Sequence, residues 1–190
     1  MKTRRLFSVL GIFLLLCALC ACSIDSEKKP KTISYSLWPA YTFEEACDEA
    51  VKIVIGTVSS NGKTYLRRVS VHPLRDGKYA YSAFADYTFK VESTLKGEHT
   101  SPITYSQSGG ETSDHIYISE DMEQAKKGDR FLIFLNENGF AISPSFRLLV
   151  DADGNVTSGF FPANCSAMFS ASEPISVDEY AELITDYLAK

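Results

Sequence analysis

Long apolar runs are scarce in this chain. Past residue 21 no unbroken apolar stretch approaches the roughly 20 residues that a membrane-crossing helix needs. That excludes a multi-span membrane protein of the helical kind. There are only three His and one Trp in 190 residues, and neither an HExxH motif nor a pair of CxxC motifs occurs. Zinc therefore has no support from spacing. Basic residues are outnumbered, with 19 Lys and Arg against 24 Asp and Glu, for a formal charge of -5. This balance lacks the electrostatic footprint of a general nucleic-acid binder. With 11 Gly and 7 Pro the chain is neither collagen-like nor of low complexity. What it does have is 12 Phe and 10 Tyr, enough for a sizeable core in a single domain.

The first residues read as an address. Lys2, Arg4 and Arg5 precede an apolar run of 16 residues from Leu6 to Ala21, too short to span a membrane and suited to a signal-peptide h-region. The run ends in Leu19-Cys20-Ala21-Cys22, which resembles a bacterial lipobox. Cys20 fits less well as the acceptor, because Leu19 stands where a small residue is wanted. The resemblance implies a signal peptide over 1–21 and a diacylglyceryl, palmitate-bearing Cys22 as the mature N-terminus. It also implies localisation at the extracytoplasmic face of the cell membrane, held there by lipid. An uncleaved signal anchor and an ordinary secretory signal are the plainer alternatives. Removing residues 1–21, with three positive and no negative side chains, leaves 169 residues and a formal charge of -8. Overall charge would then not hold the chain to anionic lipid, and two acyl chains suffice for attachment.

Residues 22–36, rich in Lys and Asp/Glu, read as the lipidated N-terminus and a flexible tether. A single globular domain is expected over 37–190. Thr42 and Glu45 form a capping box ahead of a short helix with Phe43, Ala46, Cys47 and Ala50 on one face. Val51 to Val58 reads as a strand buried on both faces. Strands are also expected at Tyr65 to His72, Ile103 to Ser106, Phe131 to Leu135, Phe140 to Ile142, Leu148 to Val150 and Val156 to Thr157. The alternation from Tyr79 to Val91 predicts a long half-buried strand. Residues 108–128 read as a long loop. Ser176 and Glu179 open a last helix whose stripe of Val177, Tyr180, Ala181, Ile184, Tyr187 and Leu188 predicts a structural brace against the core.

The expected fold class is mainly β (α+β): an antiparallel β-barrel with a short N-terminal helix and a C-terminal amphipathic helix. Residues 51–58, 87–97, 103–110 and 127–135 carry a resemblance to the OB-fold-like domain of bacterial surface lipoproteins. They are also similar, at greater distance, to the netrin-like module of the tissue inhibitors of metalloproteinases. The resemblance implies an OB-like barrel. The inhibitors' mechanism is not implied, because it needs a free N-terminal cysteine, whereas Cys22 here would be acylated.

Chemical motifs are weak. Gly56 and Gly62-Lys63-Thr64 miss P-loop spacing by one residue and precede a strand. Ser108-Gly109-Gly110 lacks the preceding glycine of a nucleophile elbow. Asp151, Asp153 and Asn155 around Gly154 have the look of a calcium loop, but the twelfth position is Pro162, and a hairpin turn explains the same residues. Glu111, Asp114 and His115 read as a solvated polar loop. No metal and no cofactor are expected. After signal removal and acylation Cys47 and Cys165 remain as a possible disulfide, in a compartment that permits one.

Two functions stay open. The favoured expectation is a non-enzymatic binding module for a peptide, protein or glycan of the cell envelope. Its ligand surface would use Ser108, Glu111 and His115 in the loop 108–128 and the aromatics Phe160 and Phe161, near Met168-Phe169. The alternative is an envelope hydrolase with its site on the same loop. No nucleic-acid partner is expected.

Overall fold

The computed structural model describes residues 29–34, 38–158 and 175–190. Local sequence decides the two α-helices among the described residues. The Thr42 hydroxyl accepts from Glu45 N (3.2 Å) while Thr42 N donates to the Glu45 carboxylate (2.8 Å), starting α1 (Phe43–Glu49). Its last carbonyls, which have no partner inside the helix, accept from Lys96: Nζ lies 2.8 Å from Cys47 O and 2.9 Å from Asp48 O. Ser176 and Glu179 repeat the capping box at α2 (Val177–Leu188), whose Val177, Tyr180 and Ile184 are buried.

The chain is otherwise mainly β and mostly antiparallel. Strands β1 (Lys31–Ser34), β2 (Lys52–Val58), β3 (Lys63–Arg68), β4 (Tyr81–Lys96) and β5 (Ile103–Ser108) come first. Then follow β6 (Gly110–Glu111), β7 (Ile116–Ser119), β8 (Arg130–Leu135), β9 (Arg147–Val150), β10 (Asn155–Ser158) and β11 (Ile175–Ser176). The large sheet runs β11-β10-β9-β8-β2-β4-β3, with β5 also paired to β4, and a small sheet runs β1-β7-β6.

The expectation for 51–58 holds from Lys52 onward, where β2 is buried on both faces, as is its neighbour β8, while Val51 lies outside the strand and is exposed. Ile53, Ile55, Leu132 and Phe134 meet the two helices in one core cluster with Ala46, Cys47, Tyr180 and Ile184. Val54, Val58, Phe131, Ile133 and Leu135 face the other cluster, with Tyr87, Phe89 and Tyr105. The alternation expected of β4 is there too, with Ala83, Ala85, Tyr87, Phe89 and Val91 buried in turn. The β2–β4 register shifts twice, at Ile53/Val54 and Ile55/Gly56, so the pair bends. Gly56 permits this, since a β-carbon there would collide with the Lys90 carbonyl and the Phe89 ring.

Three expectations change. No closed barrel forms among the described strands. The free edge of β5 meets the segment after β8 only through the single parallel bridge from Ser106 to Phe140, and that segment folds back on β8 through the antiparallel bridge from Leu135 to Ala141. The tether expected over 22–36 is interrupted by β1, which pairs in parallel with β7 from Lys31–Ile116 to Ser34–Ser119. Thr32 and Ile33 are β-branched and suit an extended edge, and β7 supplies the open hydrogen-bonding groups. The loop 108–128 also contains two strands, β6 and β7, in a hairpin. Its sequence hid them because each is too short to show a period.

Candidate functional site

A groove of about 680 Å³ lies between the β6–β7 hairpin, residues 120–126 and the start of β3. Gly62, Tyr87, Tyr117, Ser119, Met122 and Gln124 are among the residues that line it. Gly62 lies flat against Tyr87, whose ring carbons would be only 2.6 and 2.7 Å from a β-carbon at that position. The Tyr87 hydroxyl donates to Gln124 Oε1 (2.8 Å), and Gln124 Nε2 donates to Ser108 O (2.7 Å). Burial, and then the neighbouring Tyr105, push the Tyr87 phenol up to about 12, so it stays a neutral donor.

One wall, residues 122–125, is held from inside by an amide. Gln107 is 1% exposed. Its Nε2 donates to Glu123 O (2.6 Å), and its Oε1 accepts from Ala125 N (3.2 Å) and from Arg147 (3.0 Å). The Arg147 guanidinium also sits 4.8 Å over the Phe131 ring, a cation–π contact. Because its amide is satisfied on both sides, Gln107 can be buried at little cost. Sequence reasoning passed over it. The available signal was an amide two residues from Tyr105 in a short strand, on the side that faces the core.

Ser119 has no such partner. It is 5% exposed, it lines the groove, and its hydroxyl makes no hydrogen bond among the described residues. A buried polar group left unsatisfied is costly and uncommon, and it calls for an explanation.

The residues picked out from sequence separate. Ser108 lies at the end of β5 and lines a second hollow of about 400 Å³ with Trp38, Arg67 and Phe140. His115 stands before β7, where its Nε2 and the Thr32 hydroxyl share a 2.6 Å hydrogen bond and its ring lies 4.7 Å from Tyr117. Ser108 lines the second hollow and His115 lines neither. Glu111 lines the groove, but its carboxylate is engaged by Lys29 Nζ at 2.6 Å. Glu111 and His115 thus clamp the chain's own N-terminal segment. Gly109 and Gly110, at φ of +92° and +129°, serve the turn after β5. Lys63 opens a strand, as expected of the near P-loop.

Asp151 Oδ1 accepts from Asp153 N (3.0 Å) and Asn155 N (2.8 Å), the bonding of a hairpin turn. No group of three metal-type side chains gathers among the described residues. Cys47 is fully buried, and burial pushes its thiol up to about 11. Cys22, Cys165, Phe160, Phe161, Met168 and Phe169 lie outside the described residues. No helix among the described residues is long and apolar enough to cross a membrane. Compared with protein-family models, with curated proteins and with solved structures, the chain matches none.

Proposed function

We propose that this chain is a membrane-anchored extracytoplasmic lipoprotein. In this reading it acts as a non-enzymatic binding module for a peptide, protein or glycan of the cell envelope, received in the groove beside β7. The observation that carries the binding site is the buried, unpartnered Ser119 hydroxyl in a concavity lined by Tyr87, Tyr117 and Met122. Ligand sites pair a mostly apolar lining with a few placed polar groups, and this groove has that make-up. The OB-like reading of the fold belongs to the same proposal. Its support is the circuit from β2 to β4, to β5, through Phe140 and Ala141, and back by β8 to β2. That circuit has five strand positions, as the partly open OB barrel does. Against the hydrolase alternative stands that neither hollow is lined by both Ser108 and His115.

Two measurements test this. Labelled palmitate is expected to enter the parent and not Cys22→Ala; equal labelling of both removes the anchor. For the groove, the isotope-labelled chain from residue 22 onward is titrated with a peptidoglycan digest and with a library of extended peptides. Resonances of Tyr117, Ser119 and Gln124 are expected to shift, with the ligand unchanged. Shifts confined to other surfaces would remove this groove as the site, and cleavage of the ligand would replace the module by a hydrolase.

A further inference from the structure

The acidic balance of the whole chain hides a basic and apolar projection. The β3–β4 hairpin, residues 63–81, holds Lys63, Arg67, Arg68, Arg75 and Lys78 against the single acid Asp76, a local charge of +4 in a chain of -5. Of the ten large apolar residues exposed among the described residues, six fall on it: Leu66, Val69, Val71, Leu74, Tyr79 and Tyr81. Val71, near the tip, is 80% exposed. Scattered exposed apolar residues are ordinary, but a cluster of this kind marks a contact surface. The projection is built, not frayed. Val69 N donates to Ala80 O (2.9 Å), Ala80 N to the Ser70 hydroxyl (2.9 Å) and Leu74 N to Lys78 O (2.6 Å). The Arg68 guanidinium lies 4.6 Å over the Tyr79 ring.

We infer that this hairpin is a second membrane contact, seating its tip in the headgroup region of an anionic lipid bilayer. Charge complementarity supplies the attraction, and the exposed Val, Leu and Tyr side chains supply what a soluble polyanion would not need: an apolar surface to bury. Position agrees with this. Thr64 at the hairpin root accepts from Glu111 N (3.1 Å), and the Glu111 carboxylate holds Lys29 (2.6 Å). The root therefore adjoins the place where the chain joins the domain. Only six residues separate Cys22 from Lys29, and the seven chain steps between the two reach at most about 25 Å. The geometric part of this inference rests on the acylated Cys22 proposed above; the binding itself does not.

The test uses the chain from residue 22 onward carrying Cys22→Ser, so that no acyl chain contributes. It is sedimented with vesicles of equimolar phosphatidylcholine and phosphatidylglycerol, and with vesicles of phosphatidylcholine alone. Sedimentation is expected with the anionic vesicles, weakened by salt, and little with the neutral ones. The combined Arg67→Glu, Arg68→Glu and Arg75→Glu variant is expected to bind at least about tenfold more weakly, as is Val71→Asp with Leu74→Asp. Near-ultraviolet circular dichroism matching the parent shows that each variant is folded, and Arg→Gln at the same three positions serves if the reversals do not fold. Absence of sedimentation with anionic vesicles overturns the inference while leaving the palmitate result untouched. Loss of binding in the Arg variant alone, with the Val71/Leu74 variant binding like the parent, overturns it in favour of a soluble polyanion. A concentration-dependent dimer that the same Arg reversals abolish, without vesicle binding, overturns it in favour of a second copy presenting the exposed Asp178, Glu182 and Asp186 of α2.

Discussion

Gln107 shows how much one side chain fixes here. Its amide joins β5 to residues 122–125 and to Arg147 on β9, so a core position and a groove wall share one group. Replacing it leaves the Glu123 carbonyl, the Ala125 N–H and part of the Arg147 guanidinium without a partner, and opens a small cavity. Gln107→Ala is therefore expected to lose about 2–4 kcal/mol of stability. It should also loosen the groove wall, seen as faster amide exchange at residues 122–126. An unchanged denaturant midpoint would mean that water replaces the amide without loss. Nothing in the sequence around Gln107 announces this, because Glu123, Ala125 and Arg147 sit 16 to 40 positions away. Ser119 was equally silent: a serine earns notice only when its surroundings exclude water, and burial there comes from tertiary packing.

Elements whose signals are local were readable in advance. Both capping boxes form as written, and the stripe on α2 faces the core. Ile184, fully buried among Ala46, Cys47 and Tyr180, is the measure of that brace. Ile184→Ala is expected to cost about 2–5 kcal/mol. A midpoint equal to the parent's in urea would show that the stripe carries no core packing. The alternation of β4 and the double burial of β2 were legible for the same reason, since period and β-branching are properties of contiguous residues. The long strand reached further toward the hairpin in expectation than in the structure, which starts it at Tyr81. What sequence could not supply was pairing. β1 and β7 find each other across some 80 residues of chain, β6 joins β7 in a short hairpin, and strands of two to four residues have too little pattern to predict a partner. The candidate site was legible only as a region, the segment 108–128. Its roles were not, since Glu111 and His115 bind the N-terminal segment, and the groove draws on Tyr87 of β4 and on Gly62 just before β3.

At the scale of the molecule, two cores share one sheet, and Glu92 ties its central strands. The carboxylate on β4 accepts from the Thr57 hydroxyl on β2 (2.6 Å) and from Arg130 Nε on β8 (2.8 Å). Partial burial opposes its ionisation, but these two hydrogen bonds and the Arg130 charge outweigh that and hold the carboxyl below its ordinary 4.5. A depressed folded value means the contribution is complete above about pH 4.5 and drains away as pH falls through the lower folded value. Glu92→Gln is accordingly expected to be less stable than the parent at neutral pH, with the gap closing in acid. A gap that stays constant from about pH 7 to about pH 3 would remove Glu92 from the acid response. The short parallel strand β1 has a mechanical consequence of its own. Tension applied to the N-terminal end of the chain enters the globule at Lys29 to Ser34, through the Lys29–Glu111 ion pair, the Thr32–His115 bond and four paired residues of β7. That is a small cooperative unit beside the large sheet, and small units open at lower free energy than the core. Under load β1 is thus a fuse. It peels from β7 and frees its own residues, while the sheet, the helices and the groove wall held by Gln107 stay folded.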